Sequence, residues 1–200
     1  MRDKPLFAVV YMFVVTAFFS AILIGFAKLT RGKVEANQLI AFEKAVLQVF
    51  PEITATTNAQ IHTIFTEQFE LSSNAYIYRK DHQIEGYAVP VEGQGFWAPI
   101  RGIIGITADK QTITGVAFYE QSETPGLGAR IVEPDFCDAF TGKKLAEGER
   151  LIGIRQVGTT LNNSEVHSIT GATQTCVRLE KLINDGLAQW RQANEEGAKE

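Results

Sequence analysis

Two stretches of this 200-residue chain combine residue types and spacing that suit chemistry. The first is Ser168-Ile169-Thr170-Gly171-Ala172-Thr173-Gln174-Thr175, directly ahead of a strongly helical pattern. Thr170 or Thr173 suits the position of a helix cap, the ordinary role of a threonine there. The same place has a second property. The first turn of a helix carries unpaired N–H groups and the positive end of the helix dipole, a natural seat for phosphate. A hydroxyl at that spot is well placed to become a phosphoester to a phosphate-bearing cofactor. The second stretch is Glu123-Thr124-Pro125-Gly126-Leu127-Gly128. Pro followed by Gly suits a turn with a positive φ at Gly126. A second glycine, Gly128, lets the backbone approach a flat ligand closely. Taken alone, this composition describes an ordinary loop after a strand.

Other chemistries find little in the sequence. His62, His82 and His167 sit in polar or turn-like contexts, and none belongs to a G-x-S-x-G nucleophile motif. Neither G-x-G-x-x-G after a strand nor G-x-x-x-x-G-K occurs, so dinucleotide and nucleotide binding by those routes are not indicated. Cys137 and Cys176 lie far apart and form no metal motif and no disulfide framework. Two separate thiols are expected, with a single disulfide open to an exported domain. The net charge of −4 and the lack of a basic run exclude a nucleic-acid binder.

The elements that position these stretches follow from patterning. Residues 6–27 hold no charge and are long enough to span a bilayer as a helix. Gly25-Phe26-Ala27 has the small-x-small form of a signal-peptide cleavage site. The apolar run nevertheless exceeds the roughly 7–15 residues of a signal core, so a retained anchor is expected. Arg2 and Lys4 on one side nearly balance Lys28, Arg31 and Lys33 on the other, which leaves orientation open by charge. Ala17, Ala21 and Gly25 share one helix face and suit close packing against another membrane helix; the same residues are common in any such helix. Residues 34–50 have helical spacing and stop at Pro51. A polar, threonine-containing stretch follows, then short strands at 65–71, 75–79 and 84–91. Residues 100–107 and 112–119 form the best hairpin candidate, turning at Asp109-Lys110-Gln111. A short helix at 133–141 closed by Gly142, a strand at 151–158 and a helix at 173–193 complete the pattern. The expected organisation is a tail at 1–5, a transmembrane helix at 6–27, a stalk helix at 28–50, one α+β domain at 51–193 and a flexible tail at 194–200.

The run GFWAPIRGIIGITADKQTITGVAFYEQSETPGLGARI (95–131), followed by TGATQT (170–175), resembles the FMN-binding domain of the G subunit of Rnf complexes. It is equally similar to the C subunit of sodium-translocating NADH:quinone oxidoreductases. The likeness covers the anchor, the stalk and essentially the whole domain. ETPGLG and TGATQT, in this order and about 45 residues apart, are specific as a pair where neither is strong alone. The resemblance implies a single-pass helix followed by an FMN-binding domain with antiparallel strands and flanking helices. It implies FMN held by a phosphoester on Thr173, attached by a separate flavin transferase that uses FAD as donor. One position departs from the family pattern: His167 stands where an Asp is usual.

On this resemblance, Thr170, Gly171, Ala172 and Thr175 surround the phosphate with Thr173. Glu123 and Thr124 make polar contacts to the ring or ribityl chain, and Leu127 an apolar one. Phe96 and Trp97 either cover a ring face or simply pack in the core. No residue acts as acid, base or nucleophile toward a substrate. The resemblance implies that the chain relays electrons within an Rnf-type complex that couples redox reactions to Na⁺ or H⁺ movement. Partner membrane subunits carry the ion path, since one helix without charges cannot. The domain is expected on the extracytoplasmic face. Length leans toward the Rnf subunit over the quinone-reductase one. A stand-alone anchored flavoprotein keeps the cofactor and changes the context; a non-redox binding domain is the alternative from another class.

Overall fold

The computed structural model describes residues 5–72 and 74–196, so parts of both expected tails lie outside the described residues. The chain divides into two units, Met1–Ile40 and Ala41–Glu200.

Helix α1 (Pro5–Gln48) supplies nearly all of the first unit and enters the second. The expected membrane helix and stalk helix are therefore one continuous element. Nothing between residues 27 and 34 breaks it: there is no proline, and an isolated Gly32 is tolerated at about 1 kcal/mol. Its N-terminal part is apolar on every face, with Leu6, Phe7, Phe13, Phe18, Leu23 and Phe26 all exposed. A helix apolar all round is one suited to a nonaqueous setting. This one is long and apolar enough to cross a membrane.

In the second unit, the end of α1 turns amphipathic and buries Ala45, Val46 and Leu47, followed by Val49 and Phe50. Pro51 then prevents continuation. Helix α2 (Asn58–Gln68) follows, where the sequence pattern suggested an irregular stretch and a strand beginning at Phe65. The correction has a local cause. Thr57 and Gln60 form a reciprocal capping box, which satisfies two end groups and fixes the helix start. Ile61, Ile64 and Phe65 then share the face packed on the core.

Five strands form one antiparallel sheet in chain order: β1 (Phe69–Ser72), β2 (Ala75–Lys80), β3 (Gln83–Gln94), β4 (Pro99–Thr107) and β5 (Ile113–Glu120). The expected hairpin is β4–β5. Its turn is closed by Lys110 N–H on the Thr107 carbonyl and by Gln111 N–H on Asp109 Oδ1, with Lys110 at φ 61°. Side chains alternate across the sheet and divide the core in two. Tyr87, Val89, Val91, Ile104 and Ile106 pack with one cluster; Ala88, Ile103 and Ala117 pack with the end of α1 and with α2.

Beyond the sheet come a 3₁₀ turn (Gly128–Val132) and α3 (Pro134–Asp138), shorter than expected; Gly142 follows at φ 77°. β6 (Gly153–Arg155) and β7 (Glu165–His167) pair in parallel. The first is a fraction of the strand expected at 151–158 and the second was unforeseen, because three residues carry no readable period. Side chains hold them instead: Arg155 bonds Glu165 at 2.5 Å, and Glu180 accepts from the Ile154 N–H at 2.6 Å. Helix α4 (Thr173–Glu196) covers the sheet through Leu179, Leu182, Ile183, Leu187 and Trp190, as its period indicates. Both cysteines are free; burial pushes the Cys176 thiol up and, with Asp138 nearby, the Cys137 thiol to about 11.

Candidate functional site

Three segments distant in sequence meet at a cleft of about 230 Å³. The first is the tip of the β3–β4 hairpin, closed by Gly95 N–H on the Ala98 carbonyl, which presents Phe96 and Trp97. The second is the turn after β5, with Thr124, Leu127 and Gly128. The third is the start of α4, from Gly171 to Thr175. The ETPGLG stretch and the threonine-rich stretch are therefore neighbours across one cleft.

The turn forms as its residues dictate. Leu127 N–H bonds the Thr124 carbonyl at 3.1 Å, with Gly126 at φ 73° in the position that needs a left-handed residue. A similar turn leads into α4: Ala172 N–H bonds the Ile169 carbonyl at 3.1 Å, with Gly171 at φ 80°. The first amide of this region to reach a helical acceptor is Cys176, on the Ala172 carbonyl. Among the described residues, no acceptor meets the N–H of Thr173, Gln174 or Thr175. These are the orphan donors of the helix start, and all three residues line the cleft.

The three threonines have different surroundings. Thr173 is exposed at the cleft, and among the described residues its hydroxyl has no hydrogen-bond partner. Thr175 is buried and donates its hydroxyl to Glu123 Oε2 at 2.6 Å. Thr170 does not line the cleft; with His167 and Ser168 it borders a separate cavity of about 550 Å³. Among the described residues, neither Thr170 nor Thr173 bonds a backbone N–H through its side chain, so the capping role open to them in the sequence is taken by neither there.

Glu123 lies beneath the cleft and is 5% exposed. Its Oε1 accepts the Trp97 N–H at 3.1 Å while Oε2 holds Thr175. Trp97 is 65% exposed, yet its indole Nε1 donates to Thr124 Oγ1 at 3.1 Å. Phe96 meets it edge-on at 4.9 Å between centroids, with the Arg178 guanidinium 6.0 Å from the Phe96 ring. Both aromatic side chains are exposed, so core packing is not their role. Of the residues singled out in the sequence, Thr173, Gly171, Ala172, Thr175, Thr124 and Leu127 line the cleft; Glu123 supports it and Thr170 stands apart. Gly128, the second glycine of the turn, also lines the cleft, whereas Gln174 and Arg178 carried no role in the sequence reading. Gly128 is signalled by its close approach, since a Cβ there would sit 2.5 Å from Thr175 Oγ1.

Residues 95–188, which contain every segment of the cleft, match the model of the FMN-binding domain family. The architecture is thus a long apolar N-terminal helix followed by an FMN-binding domain with an antiparallel sheet and flanking helices. Among sequence relatives, the C subunit of the Na(+)-translocating NADH-quinone reductase of Chlamydia pneumoniae is 32% identical over 145 residues, which is 64% of this chain and 45% of that protein. Its counterpart in Neisseria meningitidis serogroup A is 33% identical over 114 residues, or 56% and 42% of the two chains. The chain spans a little under half the length of these curated relatives. Among solved structures, the Parabacteroides distasonis counterpart superimposes with a TM-score of 0.67 at 22% identity, covering 80% of this chain and 94% of that one. Shewanella oneidensis NqrC does so with a TM-score of 0.67 at 18% identity, covering 80% and 99%. These two likenesses establish the fold.

Proposed function

We propose that this chain is a membrane-anchored electron-transfer subunit with FMN attached as a phosphoester on Thr173. The observation that carries the reading is the Thr173 hydroxyl and three N–H groups that meet no partner among the described residues, on a cleft shared with the ETPGLG turn. The residues present fit such a group. The amides of Thr173, Gln174 and Thr175 suit a phosphate. The exposed faces of Phe96, Trp97 and Leu127 suit a flat ring, and Gly171 keeps the approach open. Thr175 is a poor rival acceptor because its hydroxyl is buried on Glu123, and Thr170 faces another cavity.

FMN, when bound, accepts and releases electrons singly or in pairs. The chain's part is to tether, orient and shield. Residues 6–27 cross the bilayer, the rest of α1 up to Ile40 forms the stalk, and the unit from Ala41 onward, which includes the buried end of α1, holds the cofactor on the extracytoplasmic face. A flavin transferase loads the chain, and polytopic partner subunits couple the electron flow to Na⁺ or H⁺ movement. The host is a complex of the Rnf type or its NADH-quinone reductase counterpart. Co-purification with the neighbouring subunits distinguishes these from a stand-alone carrier.

The test is in-gel fluorescence. Full-length chain is co-expressed with a flavin transferase, denatured and run on a gel under ultraviolet light. A fluorescent band is expected, lost in Thr173→Ala with the fold intact. A dark wild-type band overturns the covalent flavin. A Thr173→Ala band that stays bright while Thr170→Ala goes dark moves the attachment.

A further inference from the structure

The cleft rests on a buried carboxylate that the tethering of a cofactor does not require. Glu123 sits below the surface with both oxygens on donors: the Trp97 amide at 3.1 Å and the Thr175 hydroxyl at 2.6 Å. Its own N–H is bonded to Gln121 Oε1 at 2.7 Å. Among the described residues, no Lys or Arg pairs with it. Space around it is closed. A Cβ at Gly95 would come 2.6 Å from Oε1, and one at Gly128 would come 3.0 Å from Oε2. Glycine at both flanking positions is what admits the carboxylate.

The Trp97 amide can only donate, and with the Thr175 hydroxyl donating as well both oxygens accept, the bonding that an ionised carboxylate satisfies. A charge buried without a countercharge is costly, so hydrogen bonding alone holds this one. Its two partners, Trp97 and Thr175, both line the cleft. A fixed negative charge thus stands one residue behind the cleft wall, in surroundings that screen it far less than water does.

We infer that Glu123 is an electrostatic positioning residue: its buried carboxylate ties Trp97 to the α4 start and holds down the reduction potential of the flavin in the cleft. This rests on the flavin reading above. Reduction adds negative charge to the flavin, and a nearby anion disfavours that form. Thr175 counters the effect, because its O–H points positive hydrogen toward Oε2.

The two roles separate by sign. Glu123→Gln keeps the shape and one acceptor but removes the charge. Thr175→Val keeps the charge and removes a donor that offsets it. Full-length wild type and both variants are loaded with FMN and titrated with dithionite at pH 8 against reference dyes. Each flavin takes two electrons from dithionite and its proton from the buffer. Unloaded samples of each are melted by circular dichroism to establish the fold. The midpoint potential is expected to move positive in Glu123→Gln and negative in Thr175→Val. An unchanged potential in a folded, loaded Glu123→Gln overturns the inference and leaves the flavin reading standing. Equal shifts of the same sign in both variants also overturn it, because loosened packing would act that way. If Glu123→Gln fails to load, a positive shift in Thr175→Val overturns the inference and a negative one supports it. Wild type that carries no FMN overturns both readings.

Discussion

Gly171 illustrates how much depends on a single side chain that is absent. Its φ of 80° lies where a Cβ is strained, and a Cβ there would stand 2.9 Å from Leu127 Cδ2. Gly126, also at positive φ, has nothing within 4 Å of such a Cβ. The two glycines therefore make a controlled pair. Gly171→Ala is expected to cost about 1–3 kcal/mol of strain and to push Leu127 off the cleft, lowering both the melting temperature and the loaded fraction of flavin. Gly126→Ala is expected to carry the strain alone, with a lower melting temperature and normal loading per folded molecule. Thermal melts and in-gel fluorescence check both. Equal loading in the two variants would mean that Leu127 has no part in the cleft. The type and order of these residues were legible in the sequence because turn chemistry is local. The unlike surroundings of Thr170, Thr173 and Thr175 were not; the burial of Thr175, for one, depends on Glu123, 52 positions away in sequence and beneath the cleft.

At the scale of elements, helix α4 is positioned by close contacts between small residues and the sheet. Gly93 of β3 faces Leu182, and Gly186 of α4 faces Val91; Cβ atoms at those glycines would fall 2.7 Å and 2.6 Å from their neighbours. Gly186 sits inside a helix, where replacement by Ala ordinarily stabilises by about 1 kcal/mol. Here packing overrules propensity, because Val91 is buried in a β-strand and has little freedom to move. Gly186→Ala is expected to lower the melting temperature, and a rise would show that the contact yields. The same contrast explains which elements the sequence disclosed. β4, β5 and α4 have long runs with a clear period. β6 and β7 are three residues each and exist through Arg155, Glu165 and Glu180, which no local pattern reveals. Helix α2 was hidden by its polar, threonine-containing sequence, although Thr57 and Gln60 had the spacing of a capping box.

On the scale of the whole molecule, α1 belongs to two environments, and the change between them bears on where the chain can be cut. As far as Leu39 its large apolar side chains are mostly exposed; from Ala45 they are buried. Glu43 marks the change, buried at 2% exposure with its carboxylate 2.8 Å from His62 Nδ1 on α2. Val46, Leu47, Val49 and Phe50 follow, with Phe50 4.8 Å from the Tyr78 ring between centroids. The Val49 carbonyl also accepts the Thr114 hydroxyl of β5 at 2.6 Å. Each such buried side chain contributes about 1.5–3 kcal/mol. Four together approach the roughly 5–15 kcal/mol that holds a typical domain folded. A chain beginning at residue 34 is therefore expected to be soluble without detergent and to melt cooperatively. A chain beginning at residue 51 is expected to lose cooperative melting and to aggregate, although that cut follows the proline at which the helical pattern ends. Circular dichroism melts of the two, with detergent-free solubility measured alongside, decide the matter. Equal melting temperatures would mean that the end of α1 is a tether and not part of the domain's core.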